Sequence, residues 1–228
     1  MRIAIAIFIL AAIAANGCSN GGSSLVVKPP IAYPPLVASD PANASRVLLY
    51  RYSGLDLAGY GALLTTDFEF VFDPADASGD PYRERGWSRD DELASAANLF
   101  VSGTTALAPV RRVSILLHGP VVALPDDRPG KLAPWHSRVS LPVEVMAWRE
   151  SALWWALGTE TFYLVRGDSA KLPSWRSPPA DSTRWYFERW EESTDPYVAA
   201  SLGAAPRALD TTPRRRLTWG GLKALYRN

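Results

Sequence analysis

Apolar and polar residues recur with two different periods along the chain, and the change of period separates predicted helices from predicted strands. Between residues 45 and 64, apolar residues return at near-helical spacing, and Ser53-Gly54 interrupts them, which predicts two short helices. Asp67 to Phe72 then alternates polar and aromatic residues, as in a strand. Ser88 and Asp91 resemble a capping box, which predicts a helix over residues 88–101.

Helix ends are expected at side chains that accept hydrogen bonds from free backbone N–H groups. Asn43 or Ser45 is the expected cap of the first helix, and Asp56 is the expected cap of the second. Thr218 is the expected cap of a last short helix near the end of the chain.

Strand patterns dominate the chain after residue 105. Apolar residues occupy every second position from Val113 to Leu117 and again from Val139 to Ala147. Two further strands, 151–157 and 160–166, are expected on either side of Gly158, and another covers 183–192. Several strands at this spacing after two or three helices predict an α+β fold with an antiparallel sheet packed against N-terminal helices.

The first 18 residues carry an export pattern. Ile3 to Ala15 is an unbroken apolar run of 13 residues, and Cys18 follows among small residues. Such a helix is roughly 20 Å long, which is short for a hydrocarbon core of about 30 Å but typical of a signal peptide. The pattern resembles a bacterial lipoprotein signal, which implies cleavage after residue 17 and lipidation of Cys18. A plain secretory signal with an incidental cysteine, or an uncleaved anchor, are the alternatives.

The domain organisation predicted from these patterns has four parts. Residues 1–17 are the signal peptide, and residues 18–44 are the lipidated cysteine and a flexible linker rich in Gly, Ser and Pro. Residues 45–192 are the α+β domain, and residues 193–228 are a C-terminal tail with a short helix. The predicted location is the cell envelope, tethered to a membrane through the lipid anchor. Ser19 favours the outer membrane if the host has two membranes.

Charge and cysteine content exclude several classes of partner. Cleavage removes Arg2 and leaves 23 basic and 23 acidic side chains, so no electrostatic attraction to nucleic acid is expected. The single cysteine and the two histidines provide neither a disulfide nor a cysteine metal site, and we expect no metal and no cofactor.

Candidate acid–base groups are few. His118 ends a strand and suits a general base by its ordinary titration range, but it also fits a histidine beside a turn, and His136 lies in a predicted loop. Asp67 and Glu69 share one face of a strand, where they form either a coupled carboxylate pair or a solvated face. We interpret all four as structural and predict no catalytic residue.

A family resemblance rests on residues 57–72. An apolar helix carrying Tyr60, Leu63 and Leu64, followed by Thr66-Asp67-Phe68, is similar to the nuclear-transport-factor-type cone fold of SnoaL-like domains, ketosteroid isomerase and scytalone dehydratase. The resemblance covers about residues 45–192 and implies a curved sheet around a cone-shaped pocket. The catalytic residues of those enzymes do not map onto this chain. The ending Trp219 to Tyr226 also resembles that of bacterial lipoproteins without an assigned activity.

The candidate pocket is predicted from two adjacent tryptophans. Trp154 and Trp155 must point to opposite faces of a strand, so one of them faces the cone, where Tyr50 and Tyr60 are expected to meet it. Core packing, an apolar pocket and a partner surface are all compatible with this pattern. The leading hypothesis is a tethered, non-catalytic domain that binds a small hydrophobic ligand or has a structural role. The alternatives are a SnoaL-like acid–base enzyme and an accessory subunit that docks on another envelope protein.

Overall fold

A computed structural model describes residues 37–167, 181–194 and 214–227. The predicted signal peptide, Cys18, most of the linker and residues 195–213 of the tail lie outside the described residues. The helical elements are α1 (Pro41–Ser53), α2 (Leu57–Gly61), a 3₁₀ helix (Ala77–Tyr82), α3 (Arg89–Ala97), a π-helical turn (Asn98–Ser102) and α4 (Trp219–Leu225). The strands are β1 (Leu64–Val71), β2 (Trp87–Ser88), β3 (Arg112–Leu117), β4 (Ala123–Pro125), β5 (His136–Trp148), β6 (Leu153–Arg166), β7 (Trp185–Ser193) and β8 (Arg214–Leu217).

All eight strands form one curved sheet in the order β2-β1-β7-β6-β5-β3, with β4 added beside β5 and β8 added beside β6. The predicted α+β fold with a curved sheet against N-terminal helices is confirmed. Most neighbouring strands are antiparallel, but β1 pairs with β7 and β6 pairs with β8 in parallel. Both parallel pairs join strands that are far apart in sequence. The local pattern of a strand does not predict which distant strand it pairs with. Within the described ranges, no helix is both long and apolar enough to cross a bilayer.

Most helix caps lie where the sequence places them. The side chain of Asp56 accepts from the Gly59 N–H at 2.9 Å, and Ser88 forms the predicted capping box with Asp91. The first cap is different, because α1 begins at Pro41 and Asp40 accepts from the Asn43 N–H at 2.8 Å. The prediction of Asn43 or Ser45 as this cap is wrong. Proline at the first helical position needs no N–H partner, so the helix starts four residues inside the predicted linker.

Strand β6 is one continuous strand of 14 residues, and the prediction of two strands divided by Gly158 is wrong. Gly158 lies opposite Val143 in the middle of the β5–β6 ladder. A Cβ atom at this position would lie 3.1 Å from the carbonyl oxygen of Ser193. The glycine therefore allows the backbone of β7 to approach closely instead of ending the strand.

The side chains on the inner face of the sheet and the helices form one apolar core. Phe68, Phe70 and Phe72 are buried, as their alternation predicts, whereas Asp67 on the opposite face is exposed. The five predicted inward positions of β5 are also buried: Val139, Leu141, Val143, Val145 and Ala147.

Helix α4 closes this core from the C-terminal end. Thr218 caps it by accepting from the Gly221 N–H at 2.7 Å, as predicted. The Ser95 hydroxyl on α3 donates to the carbonyl oxygen of Lys223 at 2.7 Å, and the Asn98 amide donates to that of Tyr226 at 2.8 Å. The helix is thus integrated into the domain, although its sequence is that of a short terminal extension.

Gly220→Ala tests this packing. A Cβ atom at residue 220 would lie 2.6 Å from Glu192 Oε2 and 2.7 Å from Phe72 Cδ1, and both partners are buried. We expect the overpacking to lower the free energy of unfolding by about 1–3 kcal/mol in denaturant titrations. A variant as stable as the natural protein would show that α4 does not pack this closely against the sheet.

Candidate functional site

The structure does not bring the four predicted pocket residues together. Tyr60 and Trp154 are buried in the core, and the Trp154 ring contacts the Tyr226 ring at 5.6 Å between centroids. Trp155 lies on the outer face of the sheet and is half-buried. Tyr50 is 52% exposed on α1. Two of the four residues thus lie in the core and two lie outside it. Their role as the lining of one pocket stays a prediction from the sequence.

On the outer face of the sheet, Glu144 links Trp155 to His118. The Trp155 Nε1–H donates to Glu144 Oε1 at 2.7 Å, and His118 Nε2 lies 3.1 Å from Glu144 Oε2. The carboxylate thus holds the histidine against the sheet, which fits the structural interpretation of His118. His136 is separate from this cluster, since its Nδ1 lies 3.1 Å from the Leu132 N–H. The prediction that His136 lies in a loop is wrong, because it is the first residue of β5 and pairs with Val165 of β6.

The most unusual group of side chains lies inside the cone, around the ammonium group of Lys223. The side chain of Lys223 is 1% exposed, and its Nζ atom lies 3.1 Å from Glu92 Oε2. The same atom lies over the rings of Trp190 and Phe70, 3.4 and 3.7 Å from their centroids. Aromatic faces attract cations, so the ammonium group is held by one carboxylate and two π-faces.

Glu92 forms an ion pair with Lys223 and accepts two hydrogen bonds from other side chains. The Tyr60 hydroxyl donates to its Oε1 at 2.5 Å, and the Trp87 Nε1–H donates to its Oε2 at 2.9 Å. These three side chains are fully buried, so each hydrogen bond satisfies a polar group that water does not reach. Burial, together with the negative charge of Glu92, raises the pKa of the Tyr60 phenol well above its usual range, so Tyr60 acts as a donor at neutral pH.

Two more carboxyl groups face each other across β6 and β7. Glu160 and Glu192 are direct cross-strand partners, and both are buried. The Trp190 Nε1–H donates to Glu160 at 2.5 Å, and the Gly220 N–H reaches both oxygens of Glu192 at 3.1 Å. Burial raises the pKa of Glu192 to about 7, and burial together with the charge of Glu192 raises the pKa of Glu160 well above its usual range.

The protonation of this interior cluster follows from its charges. Burial lowers the pKa of Lys223, whereas the charges of Glu92, Glu160 and Glu192 act in the opposite direction. Three carboxylates facing one ammonium group would leave an excess negative charge, which agrees with the raised pKa values of Glu160 and Glu192.

Glu92, Glu160, Glu192 and Lys223 are not among the residues predicted for the site, but the last three have a signal in the sequence. Glu160 has the same strand parity as the buried Phe162, and Glu192 has the same parity as the buried Trp190. A charged residue at an inward position of a strand predicts a buried polar site. Lys223 has the helical equivalent of this signal, because it lies four residues after the buried Trp219 and three before the buried Tyr226.

A separate groove lies at the edge of β1, with a volume of about 260 Å³. Its lining residues include Glu69, Val71, Pro74, Tyr82 and Arg83. The guanidinium of Arg83 is already bound to backbone carbonyl oxygens of the same loop. In the described part of the chain, no three His, Cys, Asp or Glu side chains are grouped as a metal site.

The raised pKa of Glu192 predicts how stability depends on pH. The folded protein holds this proton up to about pH 7, whereas the unfolded chain releases it near the ordinary value of 4.5. The folded state therefore binds more protons between these values, and the free energy of unfolding should fall as the pH rises from 5 to 8, by about 2–3 kcal/mol for this group.

Glu192→Gln should reduce this slope in denaturant titrations at pH 5, 6.5 and 8, and Glu160 should supply the slope that remains. Glu150→Gln is the matched control, because the side chain of Glu150 is 72% exposed and should leave the slope unchanged. An equal slope in the natural protein and in Glu192→Gln would contradict the assignment.

Trp154 and Trp155 should differ in their contribution to stability. Truncation of the buried Trp154 should lower the free energy of unfolding by about 3–5 kcal/mol, because it leaves a cavity in the core. Truncation of the half-buried Trp155 should cost about 1–2 kcal/mol, mostly through its hydrogen bond to Glu144. If neither Trp154→Ala nor Trp155→Ala costs 1 kcal/mol, and one abolishes binding of a hydrophobic probe, these residues line a pocket instead.

Comparisons with known proteins identify a similar fold but no family. No protein-family model and no curated protein sequence matches the chain. A protein from Novosphingobium aromaticivorans provisionally named scytalone dehydratase is 14% identical, with a TM-score of 0.46 over 68% of this chain and 81% of that one. An NTF2-like superfamily protein from Salmonella enterica is 16% identical, with a TM-score of 0.42 over 75% of this chain and 93% of that one.

An NTF2-like protein with a cystatin-like fold, also from Novosphingobium aromaticivorans, is 11% identical, with a TM-score of 0.41 over 72% of this chain and 87% of that one. At these identities and TM-scores, neither a family nor an activity follows from the likeness. The chain is an α+β protein with a curved, open sheet.

Proposed function

We propose that this protein is a lipid-anchored protein of the cell envelope whose domain has a non-catalytic, structural or binding role. One observation carries the second half of this proposal: the side chains of the chain itself occupy the centre of the cone. Trp87, Trp190, Trp219 and Tyr60 are all fully buried there, together with Lys223. A small molecule would have to displace helix α4 to reach this space.

Edge-to-face contacts between these rings support a structural role for the interior. Trp219 contacts Trp190 at 4.6 Å and Tyr52 at 5.2 Å between ring centroids, with interplanar angles of 89° and 77°. Such pairs contribute about 0.5–1.5 kcal/mol each beyond the area they bury. The interior is therefore a core filled by the chain itself, and binding of another protein is assigned to the outside of the domain.

Exposed apolar side chains on the outer face of the sheet support a binding role. Leu116 on β3 and Leu124 on β4 are 45% and 50% exposed, and Val122 lies beside β4 at 54%. Trp155 and Glu144 lie on the same outer face of neighbouring strands. Another envelope protein is the proposed partner of this face, which makes the domain an accessory subunit.

The anchoring half of the proposal rests on the sequence of residues 1–18. An apolar run of signal-peptide length precedes a cysteine, and a linker rich in Gly, Ser and Pro follows. Two or three acyl chains on Cys18 would make a durable tether, whereas one chain binds a membrane only marginally. If the host has two membranes, the outer membrane is the proposed location.

The second candidate is a SnoaL-like acid–base enzyme acting on a small hydrophobic substrate. The Glu160–Glu192 pair favours it, because opposed carboxyl groups with raised pKa values hold a proton near neutral pH. The substrate would need access to a space that α4 occupies, so this function requires an opened form of the domain.

The proposed function is tested in the natural host. Cys18→Ser should prevent lipidation and move the protein from the detergent phase to the aqueous phase of a phase-separating detergent extraction. Partition of the natural protein into the aqueous phase, as for the mutant, would overturn the anchoring.

Native mass spectrometry of the same extract separates the two candidate functions. A complex with another envelope protein, lost in Leu116→Asp and kept in Val101→Asp, supports the binding role, because both residues are exposed but Val101 lies outside the sheet. A small hydrophobic molecule retained by the natural domain and lost in Glu160→Gln would favour the enzyme instead.

A further inference from the structure

The surroundings of Lys223 have the composition of a cation-binding site. Its Nζ atom lies 3.4 Å from the Trp190 ring centroid, 3.7 Å from that of Phe70 and 5.9 Å from that of Trp219. Glu92 approaches from the remaining side, with Oε2 at 3.1 Å. Aromatic faces and one carboxylate converging on a single nitrogen are how proteins bind ammonium groups of ligands.

Apart from Trp219, which begins α4 itself, the site is built by elements other than the one that carries the lysine. Glu92 lies on α3, Phe70 on β1 and Trp190 on β7, and Tyr60 and Trp87 fix the Glu92 carboxylate by hydrogen bonds. Lys223 enters from α4, which attaches through its own contacts, including the Ser95 hydroxyl bonded to the Lys223 carbonyl. The host groups are therefore positioned independently of the ammonium group that they surround.

We propose that the interior of the cone is a binding site for a primary alkylammonium group, and that Lys223 is its built-in ligand. This site is independent of the lipid anchor and of the outer face of the sheet. The cone is filled because helix α4 supplies the ammonium group from within the chain.

The short distances from Lys223 Nζ to the two rings favour a primary ammonium group over a methylated one. A nitrogen 3.4 Å from one ring centroid and 3.7 Å from another leaves no space for N-methyl groups between the nitrogen and the rings. A quaternary ammonium ion would therefore not fit. A primary ammonium group carries no methyl groups, so its charge approaches Glu92 and the rings at these distances.

Lys223→Ala with added n-propylammonium is the test. The deleted atoms Cγ, Cδ, Cε and Nζ correspond atom for atom to n-propylammonium, and the alanine side chain of the variant keeps Cβ. We expect Lys223→Ala to unfold at a lower temperature and n-propylammonium to raise its Tm saturably, by about 3–6 °C at tenfold the dissociation constant. The natural protein, whose site is filled, should show no saturable rise.

Two controls separate recognition of the charge from filling of space. 1-Propanol has the same heavy-atom count without the charge, so an equal stabilisation of Lys223→Ala by 1-propanol would overturn the proposal. Lys131→Ala removes a lysine that is ion-paired to Glu188 at 2.7 Å but is 25% exposed, and n-propylammonium should not rescue it. The absence of any effect of n-propylammonium on Lys223→Ala would also overturn the proposal.

If Lys223→Ala does not fold, Lys223→Met tests the same proposal. Lys223→Met fills the same space without a charge and leaves the buried Glu92 without its cation, so its folding equilibrium constant should fall at least about 100-fold. A Lys223→Met protein as stable as the natural one would show that the ammonium group is not recognised. Tetramethylammonium should stabilise neither variant, and stabilisation by it would contradict the assigned ligand class.

Discussion

The ammonium group of Lys223 is the constraint on which the rest of the domain depends. A buried, unpaired charge costs several kcal/mol, so a folded chain that places this lysine at 1% exposure must surround it with compensating groups. Those groups come from separate elements: Glu92 from α3, Phe70 from β1 and Trp190 from β7. One charge thereby couples the N-terminal helices, the sheet and the C-terminal helix.

Because the chain fills the interior of the cone, the accessible surface for binding is the outside of the domain. A cone-shaped fold implies an internal pocket, and the sequence resemblance implied one here. The interior instead contains edge-to-face aromatic rings, a lysine and three glutamates, all supplied by the chain. Burial raises the pKa values of Glu160 and Glu192, which limits the negative charge of this interior, since both carboxylates ionised together would repel each other next to a single ammonium group. The outer face of the sheet is left as the accessible surface.

Local patterns predicted local structure well. The caps Asp56, Ser88 and Thr218 act as expected, because a cap is a hydrogen bond between residues two or three apart in sequence. The alternation at Phe68, Phe70 and Phe72 predicted their burial for the same reason. Gly158 shows the limit of local patterns. A glycine in a strand pattern indicates either the end of the strand or the close approach of another backbone. At Gly158 the second alternative holds, because the backbone of Ser193 in β7 lies against it.

The sequence by itself determined the α+β class, most of the elements and the face of each strand that is buried, because these depend on periodicity and on neighbours along the chain. Only the tertiary structure decided the parallel pairing of β1 with β7, the insertion of α4 into the core and the meeting of Lys223 with Glu92, which lies 131 positions earlier in the chain. Contacts of that sequence separation depend on how whole elements pack. The helical spacing of Lys223 with Trp219 and Tyr226 places it on the buried face of α4, but no local pattern identifies Glu92 as the carboxylate that it meets.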